Sequence, residues 1–313
     1  MLDNFLLSMN TVLPLFAVLL AGFFLRRPLH LEDDYLKKSN RLCFTVFLPL
    51  QLFLNVYNSD LDFHREGFSI LFCACGIVFV FFLACIAAII LEKDPARRGT
   101  LAQGMFRANY VILGLPMVSN LCGEASLETA SVILAVAVPM FNILSVLALV
   151  YFCGKSRSPL QALINIAKNP LVLAVLFALL VKILNIQLPV FMTTSVKYLA
   201  NVATGLMLFV MGASLHPAAI RKDAGDLAAA VLFKLILSPA IILAAAYLLG
   251  FRGPTFATIL ILFATPTALS SFPMATQMGG DGDLASEIVV FTTGFSLLTL
   301  MGWIFLFLQL GAY

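Results

Sequence analysis

Long, nearly uncharged apolar runs constrain this chain more than any other feature of its sequence. A helix needs about 20 mainly apolar residues to cross the hydrocarbon core of a bilayer, and runs of that kind follow one another along the chain. Hydrophobic residues make up 61% of the sequence and charged residues 11%, whereas soluble domains carry about 25% charged residues. The net charge of +3 is small and scattered. A soluble enzyme and a nucleic-acid-binding protein are therefore excluded.

The apolar runs predict an all-α integral membrane protein with ten transmembrane helices, because lipid offers no partner to the open edge of a sheet. The predicted spans are residues 5–25, 38–58, 67–91, 101–121, 127–152, 164–184, 195–216, 227–250, 255–277 and 286–310. Short cytoplasmic connections are enriched in Lys and Arg. Counted in this way, the basic connections, which include Arg97, Arg98 and Arg107, are cytoplasmic. We expect a multi-pass protein of the cell (inner) membrane with both termini outside.

One segment of the sequence recurs half a chain later. Residues Leu115 to Glu124 match residues Phe272 to Asp281 in side-chain class at most positions. Five spans separate the two copies, so the two halves enter the membrane in opposite directions. Inverted repeats are a signature of secondary transporters. We expect residues 1–153 to form one five-helix repeat, 154–163 a cytoplasmic linker and 164–313 the inverted second repeat.

Proline and glycine interrupt spans four and nine at corresponding positions of the two halves. A proline inside a helix removes a backbone donor and clashes with the carbonyl four residues earlier, and a half-helix N-terminus attracts anions. Prolines that merely kink their helices are the alternative interpretation. The candidate substrate-binding residues around these interruptions and in span eight are Asn109, Tyr110, Gly114, Pro116, Lys234, Pro266, Thr267, Ser270, Ser271 and Pro273.

The polar side chains near the interruptions suit a carboxylate. The amide of Asn109 can donate a hydrogen bond without the cost of burying a fixed cation, and Thr267, Ser270 and Ser271 add hydroxyls; hydrogen bonding between helices is the alternative role. Lys234 either extends back to the interface or serves as a counter-ion for an acidic substrate. No Asp or Glu lies deep in a predicted span, so a buried proton relay has no evident candidate.

Other chemistries find little support in the sequence. Residues Gly280 to Asp283 match the Gly-x-Gly-Asp pattern of intramembrane aspartyl proteases, yet a second carboxylate in a neighbouring span is missing. His30, His64 and His216 lie far apart, so we expect no metal site. Nothing in the sequence resembles a phosphate-binding loop, so we do not expect ATP-driven transport by this chain alone. We also expect no catalytic residue and no cofactor.

Five motifs in the sequence resemble those of a known protein family. These are the segments Asn109 to Pro116, Gly123-Glu124, Asn169-Pro170 and Met211 to Leu215, and Lys234 with Pro239. They resemble the auxin efflux carrier family of permeases, in its bacterial branch, over nearly the whole chain.

The resemblance implies two inverted five-helix repeats whose helices four and nine cross at broken centres. It also implies a scaffold of spans one, two, six and seven, a homodimer through helices two and seven, and a moving unit of spans three to five and eight to ten. The substrate-facing asparagine of the family matches Asn109, and the proline at the crossing matches Pro116. Members move small organic anions. The wider spacing from Pro266 to Pro273 and the missing long loop argue against auxin itself.

Together these features predict a secondary carrier of a small carboxylate that works by alternating access. Two alternatives remain open at this point. One is a sodium-coupled organic-anion symporter like the bile-acid carriers, which sodium-dependent uptake would reveal. The other is a membrane sensor, which would bind its ligand without moving it.

Overall fold

The computed structural model describes residues 2–58, 67–110, 115–123, 126–154, 168–184, 186–215 and 223–312. Every regular element in these residues is helical, as the sequence predicted. The helices are α1 Leu2–Leu25, α2 Asp33–Leu42, α3 Leu48–Tyr57, α4 Gly67–Leu91, α5 Pro95–Phe106, α6 Leu115–Cys122, α7 Ser126–Cys153, α8 Pro170–Ile183, α9 Val190–Ser214, α10 Ala224–Leu232, α11 Ser238–Leu248, α12 Gly253–Ala264, α13 Ser271–Gln277 and α14 Gly282–Gln309.

Five stretches in the described part of the chain are helical, long and apolar enough to cross a membrane: Gly67–Leu91, Val132–Cys153, Val190–Ser214, Ala224–Leu248 and Gly282–Gln309. Shorter apolar helices accompany them. Predicted span four is divided between α5 and α6, and span nine between α12 and α13. The helices fit a multi-pass membrane protein, while the number of ten crossings stays a prediction.

Two of the long helices contain a wider π-turn just before a proline. The turn Cys43–Phe47 joins α2 to α3, and the turn Phe233–Leu237 joins α10 to α11; each following helix has proline as its second residue. Proline clashes with the carbonyl four residues earlier, so the turn widens while the helix continues. The carbonyl four residues before Pro239 is that of Leu235, and it accepts the indole N–H of Trp303 at 2.9 Å.

The helices pack as two bundles. The small bundle comprises α1, α2, α3, α8 and α9, with α1 packed along α9 and α3 packed between α8 and α9. The large bundle comprises α4 to α7 and α10 to α14, in which α5 packs on α4, α7 and α14. The two bundles meet where α1 contacts α6 and α14 and where α7 contacts α3 and α8.

Within the small bundle, α1 and α9 touch through their backbones. A Cβ added to Gly212 would overlap the carbonyl oxygen of Leu19, and one added to Gly22 would overlap that of Phe209. Close helix contacts of this kind are made by small residues in membrane proteins, where packing replaces hydrophobic burial as the force between helices. Glycine at positions 22 and 212 is therefore what allows the two helices to pack.

Four carboxylates surround Arg97 at the start of α5. Its guanidinium reaches Glu92 at 2.8 Å, Asp223 at 2.9 Å, Asp226 at 2.5 Å and Asp281 at 3.2 Å. We call these five residues the Arg97 cluster. It joins the end of α4 to the starts of α5, α10 and α14, so it closes one end of the large bundle with a network of charges.

Glu92 lies between α4 and α5, and its carboxylate is held by several donors. The backbone N–H groups of Asp94 and Lys93 donate to it at 2.9 and 2.6 Å, and the Arg97 side chain donates at 2.8 Å. The N–H of Asp94 contributes most to lowering the pKa of Glu92 from 4.5 to about 2. Since the folded-state pKa is depressed, the stabilisation is present above pH 4.5 and is lost as the pH falls towards 2.

We predict that Gly212→Ala lowers the melting temperature of the purified protein in detergent, because the added methyl group separates α1 from α9. Gly205→Ala is the matched control, since it lies on the same helix and its added Cβ meets no atom within 4 Å. Measured by thermal unfolding, Gly205→Ala should melt like the native chain. Equal melting temperatures for the two variants would contradict the close contact.

Replacing Glu92 tests the charge network at the Arg97 end. We expect Glu92→Gln to lower the melting temperature at pH 7, and the difference from the native protein to shrink as the pH drops from 4.5 towards 2. Glu32→Gln, at an exposed glutamate before α2, serves as the control and should show little effect. A difference that stays constant across this pH range would rule out the proposed role of the Glu92 charge.

Candidate functional site

Predicted span four is interrupted at Arg107 to Asn109. Helix α5 ends at Phe106, and Arg107 turns to an extended backbone with φ −73° and ψ 133°. Helix α6 begins at Leu115, with Pro116 as its second residue. The sequence placed this interruption at Gly114 and Pro116, but the described backbone leaves the helix earlier. Pro116 sits in the first turn of the second half, where a missing N–H costs no helical hydrogen bond.

Predicted span nine is interrupted at Thr265 to Ser270. Helix α12 ends at Ala264, and Thr265 is extended with φ −66° and ψ 150°, as expected for a residue that precedes a proline. Helix α13 begins at Ser271. The proline at position 266 therefore enforces the end of α12.

Hydrogen bonds join the two interruptions to each other. The backbone N–H of Asn109 donates to the carbonyl of Pro266 at 2.8 Å. The hydroxyl of Thr267 donates to the carbonyl of Gly104 at 2.7 Å, and its N–H donates to the Thr292 hydroxyl at 3.2 Å. Backbone groups freed by the two breaks thus satisfy one another in a buried position. We call residues 107–109 and 265–270 the crossing.

Arg107 is buried at the crossing, with 3% of its surface exposed. Its guanidinium donates to Asn142 Oδ1 and to Ser270 Oγ, each at 2.7 Å, and also contacts the sulfur of Met274. All of these partners are neutral, and no carboxylate of the described residues lies within ion-pair distance. The assignment of Arg107 to a cytoplasmic connection was wrong, because its side chain is enclosed by helices distant in sequence.

A small cavity of about 60 Å³ opens at the crossing. Its polar lining comes from Gln51, Asn55, Arg107, Asn109, Asn142 and Ser270, and its apolar lining from Leu48, Leu52, Ala108, Val138, Phe141, Met207, Ala268 and Leu269. The Asn109 Nδ2 group is buried and has no hydrogen-bond partner among the described residues. The cavity therefore presents a guanidinium and a free amide donor, which are the groups that bind a carboxylate.

A larger polar vestibule of about 460 Å³ adjoins this cavity. Gln51 and Asn55 line both spaces, so the vestibule leads towards the crossing. The remaining lining residues are Leu54, Asn58, Thr193, Thr194, Lys197, Ala200 and Asn201. Lys197 is exposed there and adds positive charge to the approach.

The structure brings some of the predicted site residues together. Asn109 and Ser270 line the cavity beside Arg107, and Pro266 and Thr267 build the crossing through the hydrogen bonds described above. Ser271 begins α13, and its buried hydroxyl has no partner among the described residues. Pro273 lies within α13.

Other predicted residues lie elsewhere. The Tyr110 hydroxyl is buried and donates to the carbonyl of Ala130 at 3.2 Å, outside the cavity lining. Lys234 is 1% exposed, and its Nζ donates to the carbonyl of Phe263 in the last turn of α12 at 3.3 Å. Lys234 therefore neither reaches the interface nor lines the cavity. Gly114 and the side chain of Pro116 lie outside the described residues.

Arg107, Asn142, Gln51 and Asn55 were not predicted as site residues. A faint signal existed for Asn142, the one amide in the mainly apolar span of residues 127–152. For Arg107 the signal was its position two residues before Asn109. Neither signal identifies a partner, since the residues that meet at the cavity come from α3, α7, α9 and the two interruptions.

Comparison with known proteins agrees with this architecture. Residues 7–159 and 155–304 match the family described as "Membrane transport protein". An uncharacterized transporter of Methanocaldococcus jannaschii is 26% identical over 96% of this chain and 100% of its own length. A Rhizobium meliloti protein named "Putative malonate transporter" is 22% identical over 94% of each chain.

A plant relative covers less of the chain. Auxin efflux carrier component 1 of Arabidopsis thaliana is 28% identical over 34% of this chain and 18% of its own length. The family match extends over nearly all of the sequence, and the relatives over the full length are named as transporters. The chain belongs to the membrane transport protein family, that of the auxin efflux carriers, and is a transporter and not an enzyme.

Proposed function

We propose that the protein is a secondary active carrier of a small organic anion, and that the anion binds in the cavity at the crossing of helices four (α5 and α6) and nine (α12 and α13). The observation that carries this proposal is the buried guanidinium of Arg107, which lines the cavity and has only neutral partners among the described residues. A buried charge is costly unless it is paired. A carboxylate in the cavity supplies that pairing.

The neighbouring groups favour a carboxylate over other anions of similar charge. The Asn109 Nδ2 group offers an unused donor, and the planar guanidinium suits the two oxygens of a carboxylate. The cavity of about 60 Å³ exceeds the roughly 10–15 Å³ that one water needs, yet it leaves little room for a large ring system. We therefore infer a short mono- or dicarboxylate, with malonate, named for one relative, as the first candidate.

The packing supports an alternating-access mechanism. Leu48, Gln51 and Met207 of the small bundle face Arg107 and Ser270 of the large bundle across the cavity. A shift of one bundle against the other therefore changes access to the site while the ligand stays bound. We propose that the small bundle is the scaffold, that the large bundle moves, and that the two halves of the chain are inverted repeats.

We further infer the orientation of the chain. Arg26, Lys93, Arg97 and Arg98 lie at the end of the bundles that holds the Arg97 cluster, and basic residues favour the cytoplasmic side. That assignment puts the vestibule and both termini outside the cell membrane. The homodimer through helices two and seven stays a prediction.

The first test is binding. A ligand that binds only the folded state raises the melting temperature, so malonate, succinate and acetate should each be titrated against the purified protein, with and without sodium. Uptake of radiolabelled ligand into liposomes that contain the protein then distinguishes a carrier from a sensor. Absence of both stabilisation and uptake across the panel would overturn the proposed function.

We predict that Asn109→Ala weakens malonate binding about 10- to 100-fold, as expected for loss of a hydrogen bond to a charged group worth about 1.5–3 kcal/mol. The fold should survive, because the bond to Pro266 uses the backbone N–H. Asn40→Ala is the matched control: Asn40 is equally buried and does not line the cavity. Unchanged affinity in Asn109→Ala, measured by calorimetry or thermal shift, would refute the role of this amide.

Asn142→Asp places a carboxylate against Arg107 within the protein itself. Asn142 Oδ1 already accepts from the guanidinium at 2.7 Å, so the change keeps the shape and adds a negative charge. We expect this internal ion pair to displace the ligand and to reduce malonate affinity at least about tenfold below that of Asn142→Leu, which removes the side-chain hydrogen bonds of Asn142 and adds no charge. Similar affinities for both variants in the same titration would contradict an anion site at Arg107.

A further inference from the structure

A carboxylic acid is buried beside the Arg97 cluster. Glu287 lies in the second turn of α14, and 1% of its surface is exposed. Neither of its carboxyl oxygens has a hydrogen-bond partner among the described residues. The sequence indicated no buried acid in any span, because Glu287 falls at the edge of predicted span ten; the packing of α14 against α5 and α10 encloses it.

Charged groups surround Glu287 on several elements. Asp223 at the start of α10, Asp281 and Asp283 on α14 and Arg97 on α5 lie within electrostatic range of it. Asp226 of α10 and Glu92 take part through their ion pairs with Arg97. Residues 216–222, which precede Asp223, lie outside the described residues.

This environment disfavours a charged Glu287. An ionised carboxylate that is buried without a hydrogen-bond donor has lost its hydration, and no protein interaction replaces it. The neighbouring aspartates repel a further negative charge, and Arg97 is already shared among four carboxylates. In this conformation the protonated form of Glu287 is therefore favoured.

Two helices connect Glu287 with the anion site. Helix α5 carries Arg97 near its start and leads into Arg107 ten residues later, or about 15 Å along a helix. Helix α14 carries Glu287 and also Thr292, whose hydroxyl holds the N–H of Thr267 at the crossing. The ion pairs around Arg97 thus involve α5 and α14, the same helices that position the anion site.

We propose, on the basis of the anion-carrier function above, that Glu287 and the Arg97 cluster form a proton-binding site that couples anion transport to proton transport in the same direction. The anion neutralises Arg107 and the proton neutralises Glu287, so the loaded carrier reorients without an uncompensated buried charge. In each transport cycle one proton binds the carboxylate of Glu287 and is released from it again, in step with the binding and release of the anion at Arg107. The substrate class is a carboxylate anion moved with a proton.

The test uses liposomes that contain the full chain and an internal pH-sensitive dye. An inward malonate gradient should acidify the interior of liposomes that carry the native protein, and uptake of radiolabelled malonate should rise as the external pH is lowered. In Glu287→Gln we expect malonate-driven acidification to fall at least tenfold, while malonate affinity stays within threefold of the native value. Glu32→Gln, at an exposed glutamate before α2 that is distant from this cluster, is the control and should behave like the native protein.

Three transport results would overturn the proposal. The first is malonate uptake by the native protein without acidification. The second is uptake that depends on sodium and not on pH. The third is an unchanged ratio of protons to malonate in Glu287→Gln. The first two need only the native protein, so the proposal remains testable even where the variant fails to fold.

A separate measurement addresses proton binding without any substrate. Infrared difference spectra of the detergent-solubilised protein should show the C=O band of a protonated carboxyl group that is missing in Glu287→Gln and retained in Glu32→Gln. If this band is present but malonate and the other carboxylates neither bind nor move, the anion-carrier function fails while the proton site stands. If the band is missing from the native protein across neutral and mildly acidic pH, the proton site itself is wrong.

Discussion

The hydrogen bond from the Asn109 N–H to the Pro266 carbonyl fixes the point at which the two interrupted helices meet. Each interruption on its own would leave buried peptide groups without partners, which is costly inside a bilayer. At this bond, and at the contact of Thr267 with Gly104, a hydrogen-bond donor from one broken helix meets a backbone acceptor from the other. The positions of Arg107, Asn109 and Ser270 around one cavity follow from this mutual arrangement.

The cations at the crossing illustrate a second constraint. Helices α5 and α12 both end there, and the C-terminal end of a helix carries partial negative charge. Lys234 donates to the last turn of α12 through the carbonyl of Phe263, and Arg107 directly follows the last residue of α5. Lys234 is occupied by the backbone, whereas Arg107 extends to side chains that line the cavity. Of these two cations, Arg107 lines the cavity and Lys234 does not.

Much of the helical architecture was predictable from local signals, and the site was predictable only in part. The end of α12 follows from Pro266, because a proline restrains the residue before it. The end of α5 has no such marker, since residues 107–109 contain no proline or glycine, and the sequence placed the break too late. Tertiary contacts with Pro266 and Thr267 decide it instead.

The charged residues that matter most were misread for a similar reason. A basic residue near a helix end is usually solvated, so Arg107 was counted with the cytoplasmic connections. Its burial depends on Asn142 and Ser270, which lie 35 and 163 residues away along the chain. Glu287 is enclosed in the same way by helices α5 and α10. Side chains whose environment is built by distant segments leave little trace in local sequence.

At position 109 the backbone and the side chain have different roles, and this has a consequence for how the cavity can change in evolution. The backbone of this residue maintains the architecture through its bond to Pro266, and the residue also lines the cavity. Any residue with a backbone N–H group can donate the bond to Pro266. In the proposed anion site, residue 109 thus combines a backbone group that holds the architecture with a side chain that takes part in binding, so that one substitution can alter the site while the bond to Pro266 remains.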